Sequence, residues 1–392
     1  MRDLIRFWTV FIGYTVSSSM TAPIIGLYAY RLGASASEVG AYYAVIAVTT
    51  FASRLPLASL VKSLGTKNLT RIGLLLNSAS LAFFTLTASP SLLFIGCVLR
   101  GLGFAGFHPS ALSEAVRIAG LTPERERRLG LIMTAPPIGI SIGPVISSLI
   151  LSQYGAPSES TAPYTAVFLI GAILSSVVVP LASGGTKTAI EERVDEPLSR
   201  LFTKPFTLLI SSRFILSYVI GTVSSFLPIL LVEQEILPEH EIPILFAVSA
   251  AFNVLGRPIS SRIGGASRAL LVSSLLTTAT APLIFLQTQW SLYASMALYG
   301  LGVGLFIPSS LITLQSLVPP SQLTMGIAFL TLGLDLGSGA GSLFTGLFTR
   351  FADLSEIIPA TLAVAGLLSA ATVVLLGLPD RREHGTRLEP SF

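Results

Sequence analysis

The sequence predicts an all-α polytopic membrane protein: twelve transmembrane helices in two six-helix bundles, with both termini in the cytoplasm. Three observations predict it. First, 52% of the 392 residues are hydrophobic and only 11% charged, with mean hydropathy +0.77, whereas a soluble domain carries about 25% charged residues. So few charges cannot coat a surface that faces water, which makes lipid the solvent. Second, the apolar residues fall into runs long enough to cross a bilayer core about 30 Å thick, which takes roughly 20 helical residues. Third, two stretches 199 positions apart match. Leu99, Gly101, Leu102, Gly103, Pro109 and Ser110 recur as Leu298, Gly300, Leu301, Gly302, Pro308 and Ser309.

The twelve runs lie at approximately 5–30, 38–61, 69–88, 91–116, 128–153, 162–184, 206–232, 241–262, 268–287, 290–316, 323–350 and 356–378. Their apolar residues are continuous, not alternating over about 10 residues as in a β-barrel strand, so the spans are helical. Span one follows Arg2 and Arg6 like a signal peptide, but it runs past 20 residues and further spans follow, so it is expected to be retained. Glycine and proline are abundant, 34 and 24; in membrane helices glycine permits close packing and proline kinks are tolerated. Trp8 and Trp290 fall near expected interfaces, where tryptophan anchors helices. The longest polar stretch, 185–205, contains Glu191, Glu192, Arg193, Asp195, Glu196, Pro197 and Pro205, and it divides the spans six and six. The expected organisation is an N-terminal bundle over 1–184, a cytoplasmic linker over 185–205, a C-terminal bundle over 206–379 and a cytoplasmic tail over 380–392.

Lys and Arg set the orientation. With the N-terminus inside, 20 of the 24 fall on the cytoplasmic side, among them Lys62, Lys67, Arg125, Arg127, Arg128 and Arg381. Only Arg31 and Arg350 fall outside, and Arg100 and Arg213 lie within spans. The acidic loop with Glu233, Glu235, Glu239 and Glu241 also falls outside. An odd number of spans would scramble this division.

The two halves correspond along their length. Pro23 matches Pro228, and Arg54 matches Arg257. Gly130, Gly139 and Gly143 match Gly326, Asp335 and Gly339. Six spans per half keep both copies in one orientation, so an axis along the membrane normal relates them. Such a duplicated, apolar chain has the build of a transporter with its substrate path between the repeats.

Ionisable groups inside a membrane are costly and mark functional sites. Four lie well inside spans: Arg100, His108, Arg213 and Asp335. Asp335 is the one carboxylate deep in a span, and three roles are open to it: a proton carrier, a fixed ion pair that locks helix packing, or a substrate contact. Arg100 either serves function or snorkels to the outer surface. His108 is either a group titrating near neutral pH or a packing residue that hydrogen-bonds between helices. Arg213 either snorkels to the cytoplasm or pairs with Asp335. Tyr14, Ser18, Ser19, Ser224 and Ser225 are cavity candidates, with Ser17, Asn77 and Asn253 as further polar positions; helix packing is the competing role for the serines.

Several function classes are excluded. The basic residues sit in short loops rather than in a patch, so +4 net charge does not imply a nucleic-acid partner. Cys97 is the only cysteine, and His108, His240 and His384 are far apart, so no cofactor or metal site is expected. There is no phosphate-binding Gly-Lys-Ser/Thr loop. An enzyme needs converging acid, base or metal groups, and a channel has no need of two half-copies; both are remote readings.

Gly139-Ile140-Ser141-Ile142-Gly143-Pro144-Val145-Ile146-Ser147-Ser148 resembles the fifth-helix GxxxGPxxGG signature of the major facilitator superfamily, with serines replacing the last two glycines. That signature is common among the drug/proton antiporters with twelve helices. Arg100 with Gly101 and Gly103 resembles the superfamily's fourth-helix motif, which implies a place beside the central cavity and a role in proton transfer or anion binding. From Arg54 to Gly65 the spacing suits the gating loop Gly-x-Leu-Ala-Asp-Arg-x-Gly, but Lys62 and Ser63 replace its acid and its arginine. The second copy, from Arg257 to Gly264, keeps Arg262. The string Phe107-His108-Pro109 also occurs in the fosmidomycin-resistance branch. The resemblance implies a multi-pass cell-membrane protein, monomeric, that exports a small organic or drug-like compound by alternating access against a proton or another coupling ion. In it Gly139, Gly143 and Pro144 form a bendable contact, Asp335 carries the proton, and Arg100 and His108 assist. Uptake of a small organic anion through Arg100, with His108 or Arg213, is the alternative.

Overall fold

The computed structural model describes residues 2–119, 132–154, 160–182, 201–319 and 322–377, without the side chains of Arg2, residues 55–63, Val116 and Thr324. The expected linker as far as residue 200, the tail 380–392, the cations Arg125, Arg127, Arg128 and Arg381, and the side chains of Lys62 and Ser63 lie outside the described residues.

Among the described residues the chain is helical, with no strand. Helix α1 is Arg2–Arg31. The next run, Ala36–Leu86, is broken at Gly65 (φ 74°, ψ 159°) into arms α2 (36–64) and α3 (66–86). Then follow α4 Pro90–Ala119, α5 Ala135–Ser152, α6 Ala162–Val177, α7 Lys204–Glu233, α8 Ile242–Ser260, α9 Ala266–Phe285, α10 Gln289–Leu317, α11 Leu323–Phe348 and α12 Leu354–Gly377. Eleven of these are long and apolar enough to cross a membrane, all but the arm α2. Leu149, Val177, Val364 and Leu367 are each more than half exposed, as side chains solvated by hydrocarbon are.

Local chemistry fixes the ends. The Ser35 hydroxyl accepts from the Glu38 amide at 3.3 Å, and the Glu38 carboxylate accepts from the Ser35 amide at 2.8 Å, a reciprocal cap that starts α2. Thr288 and Ser291 start α10 in the same way. Gly65 breaks its run because its positive φ is costly for any residue with a Cβ. The corresponding turn between α8 and α9 has Gly264 (φ 80°) and Gly265 (φ 120°), so both copies turn on left-handed glycine.

The packing repeats as well. In the first half α1 packs on α5 and α6, and the Ala36–Leu86 run packs on α4 and α6. In the second half α7 packs on α11 and α12, α8 on α10, and α9 on α10 and α12. Across the halves, α11 meets the Ala36–Leu86 run, α5 meets α8, and α1 meets α7.

The cores show how the halves meet. Call the face where α1 begins the near face and the face where it ends, at Arg31, the far face. One core spans both halves at the far face, with Met20, Ile24 and Tyr28 of α1 and Phe226, Leu227 and Leu230 of α7. Toward the near face there are two cores. Phe7, Phe11, Tyr14, Phe107 and Ala111 form one in the first half; Phe206, Leu209, Phe306, Leu314 and Leu330 form the other in the second. The halves therefore converge at the far face and part toward the near face. Far-face contacts tighten the convergence: Arg31 pairs with Glu239, and the Tyr164 hydroxyl donates to the same carboxylate. A Cβ on Gly26 would stand 3.0 Å from the Ser225 carbonyl oxygen, and one on Gly346 would stand 2.6 Å from the Ala36 carbonyl oxygen.

Candidate functional site

Where the halves begin to part, a salt bridge joins them. Arg54 Nη2 of α2 stands 2.6 Å from Asp335 Oδ2 of α11, with the arginine side chain 18% exposed and the aspartate 7%. The carboxylate is anchored in a glycine-lined helix. Gly337 and Gly341 of α11 back onto the Phe214 and Tyr218 carbonyls of α7, so α11 lies close to α7 while Asp335 turns to α2. Arg213 of α7 is within electrostatic reach of Asp335. Its guanidinium carbon lies 5.5 Å from the Phe306 ring centroid, and its Nε is buried without a hydrogen-bond partner. The direct ion pair of Asp335 is thus with Arg54, and Arg213 acts on it at longer range.

A second group of residues adjoins this pair in the first half. Arg100 is buried, and its Nη2 donates to the Ser18 carbonyl at 2.8 Å and to the Ser18 hydroxyl at 3.2 Å. It turns inward to α1 instead of snorkelling outward, and its Nη1 is buried without a partner. Tyr14 and Tyr43 are within its electrostatic reach. His108 lies in an aromatic nest, with centroids 4.0 Å from Phe104, 5.7 Å from Tyr14 and 6.1 Å from Phe11; Tyr14 stacks on Phe107 at 3.7 Å. Arg54 is within electrostatic reach of His108. Arg100, Tyr14, His108, Arg54, Asp335 and Arg213 thus form a group of polar side chains drawn from five helices in both halves, with Arg54–Asp335 as its direct ion pair.

The serines separate by helix face. Ser18 belongs to the Arg100 site. Ser17 donates to the Gly171 carbonyl at 2.7 Å and accepts from Asn77, which also bonds Ser175; Ser19 donates to the Gly139 carbonyl at 3.1 Å. Ser17, Ser19 and Asn77 thus tie helices together. Ser225 is buried and bonds Ser342 of α11 at 2.7 Å, while Ser224 is partly buried beside it. Asn253 accepts from Arg257 Nε at 3.4 Å on α8, and Arg262 is exposed.

Gly139 and Gly143 pack on α1. A Cβ on Gly143 would stand 2.7 Å from the Val16 carbonyl oxygen, and one on Gly139 3.0 Å from that of Ile12. Pro144 is buried beside them. Asp335, which the repeat aligns with Gly139, does not share this face; Gly337 and Gly341 do.

Arg54 was read as a motif residue and not as the partner of Asp335, and Tyr43 and Glu114 escape a reading of the sequence. Arg54 was expected near the end of span two, as the start of the gating-loop motif; the helix continues to residue 64 and leaves the side chain partly buried, turned to Asp335. Tyr43 bridges the Ala22 carbonyl and the Gly26 amide, with no charge to single it out. Glu114 is 3% exposed at the near-face end of α4 and takes a two-pronged bond from Arg117 at 2.8 and 2.5 Å; the spacing from Glu114 to Arg117 was the available signal. Among the described residues, no three metal-ligating side chains converge. What the site offers chemically is one carboxylate in an ion pair that joins the two halves.

Comparison with known proteins bears on the fold and the family. The sequence profile of the Major Facilitator Superfamily matches residues 7–265 and 209–391. The chain is 25% identical over 285 residues to the multidrug resistance protein MdtH of Photorhabdus laumondii subsp. laumondii, covering 71% of this chain and 69% of that one. Among solved structures, a mutant of the nucleoside transporter NupG aligns with TM-score 0.79 at 14% identity, over 95% of this chain and 98% of that one. A POT family transporter in complex with a thioalcohol-conjugated peptide aligns at 0.76 and 15%, over 95% and 96%. A bacterial homolog of the human lysosomal transporter Spinster, inward-facing and unoccupied, aligns at 0.69 and 16%, over 96% and 93%. With its apolar helices, two-half packing and profile match over nearly its whole length, the chain belongs to the Major Facilitator Superfamily, as a multi-pass transporter of the cell membrane and not an enzyme.

Proposed function

We propose that this chain is a secondary active transporter that exports small organic or drug-like compounds in exchange for protons. Its units are two six-helix bundles, 1–184 and 206–379, joined by the linker 185–205. The arm α2 is the twelfth span, and both termini are cytoplasmic. The repeated packing of the halves supports the division, and the charge distribution supports the orientation. With that orientation the halves part toward the cytoplasm.

The observation that carries the reading is the Arg54–Asp335 bridge between halves. The bridge needs an ionised carboxylate; a proton on Asp335 removes that attraction and frees α11 from α2. Proton binding on one side and release on the other then alternates with the closing and opening of the halves. Arg213 competes for the ionised carboxylate, and Arg100 with His108 extends the polar group. The similarity to a multidrug resistance protein supports export.

The test compares toxin susceptibility in an efflux-deficient host expressing wild type or Asp335→Asn at equal membrane levels. Protection by wild type and none by the variant is expected. Equal protection leaves export standing and makes Asp335 structural. A second reading, proton-coupled uptake of a small organic anion, is favoured by Arg100 Nη1 and Arg213 Nε, buried donors without partners; it predicts that wild type raises accumulation of its substrate.

A further inference from the structure

Two helices of the second half leave a gap between them. Both α11 and α12 pack on α7, but they scarcely touch each other. The gap is a cavity of about 510 Å³, with Phe214 and Tyr218 of α7 as its floor, Phe348 of α11 on one side and the stretch from Ile357 to Leu368 of α12 on the other. Its mouth lies at the far face, where α11 ends and α12 begins. Its inner end, at Phe214 and Leu368, lies near the middle of both helices. Val364 and Leu368 of its wall are each more than half exposed, so the groove opens sideways to hydrocarbon.

Length and chemistry say what fills it. From Ile357 to Leu368 is 11 residues of α12, about 16 Å of helix, against about 15 Å for half of a 30 Å hydrocarbon core. The groove is as deep as one leaflet. Its lining is apolar except for Tyr218 and Thr361, and Tyr218 already shares a side-chain hydrogen bond with Thr345. Association in lipid draws on close contact rather than on the hydrophobic effect, and a chain held on three sides gains more contact than one on a flat helix face. The mouth supplies a cation. Of the two far-face arginines, Arg31 is paired with Glu239, whereas Arg350 is exposed and in no ion pair among the described residues. Arg350 immediately precedes Phe351, which lines the groove and is 85% exposed. The planar fork of arginine matches phosphate geometry. Exposed Asp353 and Glu356 follow on the same corner, so the rim as a whole favours a headgroup with an ammonium as well as a phosphate.

We propose that this groove holds one acyl chain of a resident zwitterionic phospholipid of the far leaflet, with its phosphate on Arg350. The site stands apart from whatever the protein transports and needs only the membrane-spanning helices. It also touches the back of the ion pair. Phe214, at the inner end, follows Arg213, and its carbonyl backs onto Gly337 of α11, two residues past Asp335. A chain in the groove therefore ties the helix that carries Asp335 to α12, which it otherwise scarcely touches.

The experiment uses the purified full-length chain, delipidated in detergent, with dioleoyl phosphatidylcholine, dioleoyl phosphatidylglycerol and hexadecanol as probes. Native mass spectrometry counts bound lipid, and thermal unfolding reads its effect. One phosphatidylcholine is expected to bind at least tenfold tighter than any further copy and to raise the unfolding temperature. Thr361→Trp, which fills the groove, should weaken that binding tenfold or more, and Ala352→Trp at the mouth serves where the first variant does not fold. Leu367→Trp, on the same helix outside the groove, should leave it unchanged. Arg350→Gln should weaken it severalfold, and Arg350→Lys should recover part of the loss. Graded binding with no tight first site, or wild-type binding by both filled variants, overturns the proposal. Equal stabilisation by hexadecanol, which has the chain but no phosphate, overturns it as well, as does tighter binding of phosphatidylglycerol. A dimer that the filled variants dissociate would place a second copy of the chain in the groove and overturn it too.

Discussion

At the scale of single residues the account turns on Asp335 and Arg54. Removing one member of a buried pair leaves an uncompensated charge and costs about 3–5 kcal/mol, far more than the pair itself contributes. We therefore expect Arg54→Ala to be markedly less stable than the double variant Arg54→Ala/Asp335→Ala. A double-mutant cycle read by thermal unfolding in detergent should give a coupling of roughly 1–3 kcal/mol; a coupling near zero would mean the two groups do not meet. The serines at 17, 18 and 19 show what a sequence cannot say at this scale. Consecutive residues on a helix point about 100° apart; so Ser17 faces α3 and α6, Ser18 faces Arg100, and Ser19 faces α5. A cluster in sequence is thus three separate jobs in space.

At the scale of elements, glycine spacing decides which helices touch. Gly143 lies against the α1 backbone, with Val16 O 2.7 Å and Met20 N 2.8 Å from where a Cβ would stand. Backbone atoms cannot yield as a side-chain tip does, so Gly143→Ala should cost about 1–3 kcal/mol through overpacking. Gly377→Ala, where nothing lies within 4 Å, should be neutral or slightly stabilising; thermal unfolding of the two variants side by side checks both. Gly65→Ala forces a non-glycine residue to φ 74°, ψ 159°, a strain of roughly 1–3 kcal/mol, and should loosen the α2–α3 junction, measured as faster proteolysis there. Lengths of the apolar runs and the match between Leu99–Ser110 and Leu298–Ser309 made the helices and the duplication legible. The repeat alignment was less exact: it set Asp335 over Gly139, yet the α11 glycines that pack as Gly139 does are Gly337 and Gly341. A shift of one or two residues in a helix changes the face, and periodic glycines do not fix the phase. The pairing of Arg54 with Asp335 was not legible because the two lie in different halves of the chain, and sequence spacing says nothing of which residues meet across the halves.

At the scale of the whole molecule, the halves share one core at the far face and keep separate cores toward the near face. The polar fastener on the closed side is Glu239, which takes both Arg31 and Tyr164. Glu239→Gln weakens that fastener and should shift the population toward far-face opening, read as a several-fold faster reaction of a far-face cysteine with a membrane-impermeant thiol reagent. Unchanged labelling would mean that the shared apolar core alone holds the face shut. Cys97 is buried, so an introduced cysteine gives the reading without a competing signal.

The central claim is that the proton on Asp335 sets which way the molecule opens. The most direct measurement is the distance distribution between spin labels on the near-face ends of α5 and α8, in lipid nanodiscs, at pH 8 and pH 5. The account predicts that wild type redistributes between a near-open and a near-closed population as the pH changes, and that Asp335→Asn gives one distribution at both. A variant that keeps the wild-type pH response, or a wild type that shows none, would contradict it.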